Sequence, residues 1–217
     1  MHWPLLDVLD EAERRELLVA ARRRRFKKGE VVFHEGDPGD SLHLVDKGQI
    51  GIRMQTPLGD VTMVRVLGPG EFFGELTVVS PGPRNATATA LTPADTLSVR
   101  REEITGLQSR FPEINRVLIE ALVQEIRRLA ALVVEVTYMP TEKRVWHRID
   151  ALRSAFGSPG APASTLPITQ DQLAELTGCT RPTVNQVLKS GEQAGMIELH
   201  RGRIDVIRPD LLARHLR

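Results

Sequence analysis

The sequence predicts an α+β protein: an amino-terminal antiparallel β-roll of jelly-roll type, a long helix, and a carboxy-terminal winged helix-turn-helix. Three observations carry this. Short strand-like runs separated by Gly/Pro turns fill residues 29–100, the apolar pattern becomes helical between Pro112 and Met139, and two short helices with capping signals precede a hairpin near the end of the chain.

Composition sets the bounds. A chain of 217 residues with 41% hydrophobic side chains can build two modest cores. No run approaches the roughly 18 to 20 apolar residues of a membrane span, and MHWPLLDVLDEAERRELL has no cleavable-signal pattern, so a cytoplasmic protein with no membrane partner is expected. Cys179 is the single cysteine, which excludes an internal disulfide and leaves no cysteine-ligated metal site; no metal is expected. The net charge of +1 is unevenly spread. Residues 1–140 carry 18 basic and 20 acidic side chains, whereas residues 141–217 carry 11 basic and 8 acidic, which makes the carboxy-terminal part the better candidate for meeting phosphate.

In chain order, a helix is expected over Asp10–Arg24, giving way at Lys28-Gly29 to the runs VVFHEG, SLHLVDKG, QIGIRM, VTMVRVLGPG, ATATAL and DTLSVR. The turn pieces Gly36-Asp37-Pro38-Gly39, Leu58-Gly59-Asp60 and Gly68-Pro69-Gly70 recur at the spacing of an antiparallel barrel or sandwich. The cluster Arg22–Arg25 with Lys27 and Lys28 reads as a solvated face at a helix-to-strand junction.

From Pro112 onward, Ile119, Leu122, Ile126, Leu129, Val133 and Val136 recur at alternating intervals of three and four, an a/d seam ready to pair with a second copy. Leu118, Val123, Ala130 and Val134 offer an adjacent face for packing on the roll. Pro140 ends or kinks this helix and marks a hinge, and a further helix runs from Glu142 to Phe156. The stretch GSPGAPASTLP is a loop. Thr169-Gln170-Asp171-Gln172 then fits a capping box, QDQLAELTG stops at Gly178, and a second short helix starts at Thr180 with Pro182 in its first turn. MIELHRGRIDVI turns as a hairpin at Arg201-Gly202. On the second helix Arg181, Thr183, Asn185, Gln186 and Lys189 can reach base edges or phosphates, while Val184, Val187 and Leu188 pack inward.

GEFFGEL at 70–76, PRNATATA at 83–90 and ITQDQLAELTGCTRPTVNQVLK at 168–189, in this order, resemble the cyclic-AMP receptor protein (CRP/FNR) family of bacterial transcription regulators, and the likeness covers nearly the whole chain. The resemblance implies an effector-sensing roll at 1–111, a dimerisation helix at 112–139 and a DNA-binding domain at 140–217. It implies a homodimer that binds double-stranded DNA, works with RNA polymerase and responds to cyclic AMP or another cyclic nucleotide.

Carried over to this chain, Gly74, Glu75, Leu76, Arg84 and Asn85 form the effector site. Glu75 accepts from a ribose hydroxyl and Arg84 pairs with the cyclic phosphate, in keeping with a carboxylate that only accepts and a guanidinium fork that matches phosphate oxygens. A second reading makes Glu75 and Arg84 an internal ion pair in a regulator that needs no ligand. On the long helix, Leu129 and Ala130 stand where the best-known cyclic-AMP binders use hydroxyl residues. For DNA, Arg181 and Gln186 fall at base-reading positions, Pro182 replaces a reading residue with none of its chemistry, and Thr183 lies beside them; Thr169, Gln170, Thr180, Lys189 and His200 are phosphate contacts. His34 and His43 in strand-like runs are discounted as haem ligands, and an iron-sulfur cluster lacks its cysteines. No Ser/His/Asp, metal-ligand or Walker-type constellation is recognisable, so no catalytic residue is assigned. The rival from another class is a cyclic-nucleotide-responsive module that regulates a partner protein.

Overall fold

A computed structural model describes residues 3–156 and 164–216. A 3-10 turn at Pro4–Leu6 leads to α1 (Glu11–Ala20), whose N-cap Asp10 forms a reciprocal capping box with Glu13. The strands β1 (Arg22–Phe26), β2 (Val31–Phe33), β3 (Ser41–Lys47), β4 (Ile50–Gln55), β5 (Val61–Leu67) and β6 (Phe72–Phe73) follow, then the one-turn helix α2 (Leu76–Val79), β7 (Thr87–Ala90) and β8 (Ala94–Arg100). Next come α3 (Arg101–Arg110), α4 (Glu113–Tyr138), α5 (Thr141–Phe156), β9 (Ser164–Leu166), α6 (Gln170–Thr177), α7 (Arg181–Gln193), β10 (Ile197–His200), β11 (Arg203–Val206) and α8 (Pro209–His215).

Two four-stranded sheets, ordered β1-β8-β3-β6 and β2-β7-β4-β5, make the roll. Strand alternation sorts their side chains into two cores. Leu42 and Leu44 of β3 and Leu97 and Val99 of β8 pack outward against Leu5, Leu17, Ile104, Ile114 and Leu118. On the opposite faces Val45, Phe26, Phe73, Ile50, Ala88 and Ala90 meet between the sheets.

The helix expected over Asp10–Arg24 stops at Ala20, because Arg22–Phe26 pairs antiparallel with β8, from Arg22↔Ser98 to Phe26↔Ala94. Four consecutive arginines hide the alternation a strand normally shows. Arg23 and Arg25 meet acidic partners on one face, Asp46 at 2.6 Å and Asp95 at 3.9 Å respectively, while Arg22 and Arg24 point to the other. The six anticipated runs are all strands, and β6, only two residues long, had no periodic signal.

The loop expected from Gly157 falls partly outside the described residues, and its last part is instead strand β9, whose Ser164 and Leu166 are buried and which pairs with β11. The order β10-β11-β9 thus makes a three-stranded wing sheet. Thr169 and Gln172 form the anticipated capping box, and Gly178 ends α6 at φ +61°.

The chain divides into two compact units, Met1–Met54 with Leu67–Ala130 and Gln55–Val66 with Ala131–Arg217. Within the second, Arg144 donates to Val136 O at 3.1 Å and to Cys179 Sγ at 3.4 Å, and Arg148 pairs with Glu135 at 3.2 Å. Trp146 is buried under α7, where a Cβ on Gly191 would lie 2.2 Å from its ring, so only glycine permits this approach.

Candidate effector pocket and nucleic-acid interface

The segment after β6 turns back on itself. Gly74 has φ +83°, Glu75 is the N-cap of α2, and the chain returns through Pro81–Pro83 to Arg84. The return limb is fastened by its backbone: Arg84 N donates to Asp37 O and Gly36 N to Arg84 O, each at 2.8 Å. A Cβ on Gly74 would stand 2.6 Å from Arg84 Nη1 and 2.9 Å from Ser41 O. Glycine is therefore required twice, for its backbone angle and for the closeness of the guanidinium.

Arg84 is 4% exposed. Its Nη1 donates to Thr77 Oγ1 at 3.1 Å and Gly74 O at 3.3 Å, its Nη2 to Ser41 O at 2.7 Å and Ser41 Oγ at 3.1 Å, and the guanidinium lies 4.1 Å from the Phe33 ring centre. Its Nε is buried with no partner. Asp40, at 3.9 Å and itself exposed, is the carboxylate closest to pairing with it, and the Glu75 charge acts on it less than that of Asp40. Burial, the largest influence, pushes the Arg84 pKa down from its usual range.

The structure thus brings Gly74 and Arg84 together, while Glu75 is half-buried, and Leu76 and Asn85 are exposed on either side. The tight internal Glu75–Arg84 ion pair of the second reading is not the arrangement found: carbonyls and hydroxyls hold Arg84 instead. Ser41, Thr77 and Phe33 were absent from the sequence reading: Ser41 lies 43 residues from Arg84 and leaves no trace in local spacing, whereas Thr77, beside Leu76 in α2, was within local reach and was missed.

On α4, Ile119, Ile126 and Val133 are 59%, 65% and 65% exposed, with Leu129 and Val136 also exposed and Leu122 half-buried. An apolar stripe this open is one a second helix can cover. Of the residues expected to pack on the roll, Leu118 is buried; Val123, Ala130 and Val134 are exposed, because the apolar contacts of α4 come from its first turns, at Ile114 and Leu118.

In the second unit, Thr180 caps α7 and accepts from Thr183 N at 3.4 Å. Val184, Leu188 and Gly191 face inward, leaving Arg181, Gln186 and Lys189 exposed, with Thr183 half-buried. Arg181 lies 3.5 Å from Asp171. Beside the helix start is a recess of about 270 Å³ whose polar rim comes from Thr169, Gln170, Arg181, His200, Arg201 and Arg203. Five of the expected DNA contacts meet around this end of the helix, the four on the rim and Thr180; Lys189 and Gln186 lie further along it. Arg201 and Arg203, on the hairpin, were not anticipated, though the basic run at its turn was a signal for them. His200 is 3.1 Å from Asp205 and 3.6 Å from Glu198.

A roll that cradles a buried arginine behind a glycine turn, followed by a capped helix pair and a basic hairpin, defines a sensor-linked DNA-binding transcription regulator. Residues 23–111 match the cyclic nucleotide-binding domain and residues 127–215 the Crp-like helix-turn-helix domain. A CRP-like cAMP-activated global transcriptional regulator of Mycobacterium tuberculosis is 31% identical over 194 residues, 88% of this chain and 87% of that protein. The cyclic AMP receptor protein of Thermus thermophilus is 29% identical over 88% of this chain and 86% of its own length. The crystal structure of a Thermus thermophilus catabolite activator protein covers 98% of each chain at 28% identity and a TM-score of 0.56. The chain belongs to the CRP family of transcription regulators. Among the described residues no helix is long and apolar enough to cross a membrane.

Proposed function

We propose that this regulator is a homodimer that binds a cyclic nucleotide in its roll, with Gly74, Glu75, Leu76, Arg84 and Asn85 around the ligand, and thereby changes its grip on a palindromic DNA site. One observation carries the effector reading. Arg84 is a buried cation whose terminal nitrogens donate to neutral oxygens, whose one ion-pair partner among the described residues is the exposed Asp40 at 3.9 Å, and whose Nε is unpaired, so its charge is available to an anion. The cAMP-activated relative from Mycobacterium tuberculosis supports cyclic AMP as the first ligand to test. The protein acts in the cytoplasm, where its DNA and RNA polymerase are, and as a binding protein rather than an enzyme. In this reading residues 1–111 sense, 112–139 dimerise and 140–217 bind DNA.

A ligand-independent regulator is the second reading, favoured by the four hydrogen bonds that already hold Arg84 in place. Calorimetry with cyclic AMP and cyclic GMP, beside DNA-binding anisotropy with and without each, separates the two. Saturable heat that disappears in Arg84→Ala, together with a nucleotide-dependent DNA affinity, supports the first. Silence with both nucleotides and unchanged DNA binding establishes the second.

A further inference from the structure

The first sheet of the roll places a second set of arginines on its inner face. Residues opposite one another across a ladder share a face, and the registers run Arg22–Ser98–His43, Arg24–Thr96–Val45 and Arg100–Ser41. Val45 and Phe26 of the same face lie in the core between the sheets, so Arg22, Arg24 and Arg100 stand where that core opens. There the structure has a cleft of about 640 Å³ whose wall includes those three arginines, Ser41, Ser98 and the buried His43, with Arg84 at its inner side. This is a volume suited to a metabolite-sized ligand.

With Arg84 included, four arginines face three carboxylates at this opening. Three carboxylates border the cleft, and each has a local donor: Asp37 accepts from His34 N at 2.7 Å, Asp40 from the Ser41 hydroxyl at 3.0 Å, and Glu103 from Arg100 N at 2.9 Å. Among the described residues no carboxylate lies within ion-pair distance of the Arg22, Arg24 or Arg100 side chain, whereas Arg23 and Arg25, on the other face of the same strand, both have such partners. His43 is 4% exposed and hydrogen-bonded through Nδ1 to Thr96 at 3.1 Å, and it adds a polar wall without a charge of its own.

We propose that the arginine-lined mouth of the roll, built by Arg22, Arg24 and Arg100, is a binding site for a small phosphorylated metabolite carrying at least two negative charges, adjoining the effector arginine Arg84. Guanidinium forks match phosphate oxygens in pairs, and two or three of them on one face select a multiply charged ligand over a singly charged one. The proposal rests on Arg22, Arg24 and Arg100 and shares only Arg84 with the effector reading, so competition with cyclic AMP separates the two sites.

The test uses the full-length protein and inorganic pyrophosphate as the probe. Calorimetry should show saturable binding that weakens as salt is raised, and the double variant R22Q/R24Q, altering two exposed side chains, should bind about tenfold less tightly or worse. The variant's melting temperature and its response to cyclic AMP should equal those of the wild type, which shows that the roll is intact. The His43 ring resonances should shift with pyrophosphate in the wild type and stay still in the variant. No saturable binding at millimolar pyrophosphate, unchanged affinity in R22Q/R24Q, or full displacement of the probe by cyclic AMP would each overturn the assignment.

Discussion

His43 offers a direct test of how the interior of the roll handles charge. Burial, and then the positive charges of Arg84 and Arg24, lower its pKa from 6.5 to about 3, against a smaller opposing effect of Asp40. In the folded protein the ring is therefore neutral at any ordinary pH, stacked on Phe73 with centroids 5.1 Å apart. The unfolded chain takes up the proton first as pH falls. The stability that His43 contributes by staying neutral is complete above pH 6.5 and is lost progressively as pH drops towards about 3. Linkage then gives a loss of about 2 kcal/mol between about pH 7.5 and about pH 5 from this one group. His43→Phe keeps the ring stack but removes the titration; it also leaves the Thr96 hydroxyl without its partner, a cost of about 1 to 3 kcal/mol that does not vary with pH. Urea unfolding of both proteins at the two pH values isolates the effect, because every other titrating group cancels in the difference of differences. The wild type should lose about 2 kcal/mol more than the variant. Parallel losses would show that His43 is not held neutral in the fold, and the electrostatic reasoning about the roll would fail with it.

Other expectations are equally concrete. Gly74→Ala forces a Cβ against Ser41 O and Arg84 at a φ of +83°, and thermal melts should show a destabilisation of about 1 to 3 kcal/mol with impaired nucleotide binding; a neutral substitution would mean that the turn can relax. Leu129→Glu sets like charges against each other across the exposed seam and should give a monomer by light scattering, with loss of DNA affinity; an intact dimer would place the interface elsewhere. In a selected-site experiment Arg181→Ala should flatten the preference at one base pair, guanine in the parent, at a cost of about 1 to 3 kcal/mol, while Lys189→Ala should weaken all sequences alike and lower the salt slope. An unchanged motif in Arg181→Ala would remove α7 from the role of reader.

Much of the architecture was legible because it rests on local rules. Thr169 with Gln172, and Thr180 with Pro182, announce helix starts through groups that must satisfy each other within one turn, and Gly178 announces an end through a backbone angle that other residues resist. What escaped depends on pairing at a distance. β1 is a strand because β8 lies beside it, and nothing in RRRRF reveals which arginines face Asp46 and Asp95 and which face the cleft. β9 was hidden in a breaker-rich stretch for the same reason: its burial comes from β11, 38 residues away at Leu166↔Ile204. Arg201 was placed at the hairpin turn by the sequence, but that it and Arg203 join Thr169, Gln170 and Arg181 around one recess depends on tertiary packing.

The proposed effector site divides in the same way. Glu75 and Arg84 stand out in sequence as two opposite charges flanking a Pro/Gly turn, and opposite charges invite the inference that they neutralise each other. The folded chain separates that inference from its chemistry. A guanidinium paired with a buried carboxylate gives up most of its outward field, whereas one held by carbonyls and hydroxyls keeps it and is only oriented. Arg84 is of the second kind: Ser41, Thr77 and Gly74 fix its plane, Phe33 supports its face, and Asp40 stays 3.9 Å away in an exposed position. Holding a cation in this manner costs solvation, which is why its pKa falls, and the structure bears that cost without a buried counter-charge beside it. The arrangement stabilises the free protein less than an ion pair would and leaves more binding energy for an anion that arrives later. That is the physical ground on which the proposed role of Arg84 as an anion-recognising residue rests, and loss of nucleotide binding in Arg84→Ala is what would bear it out.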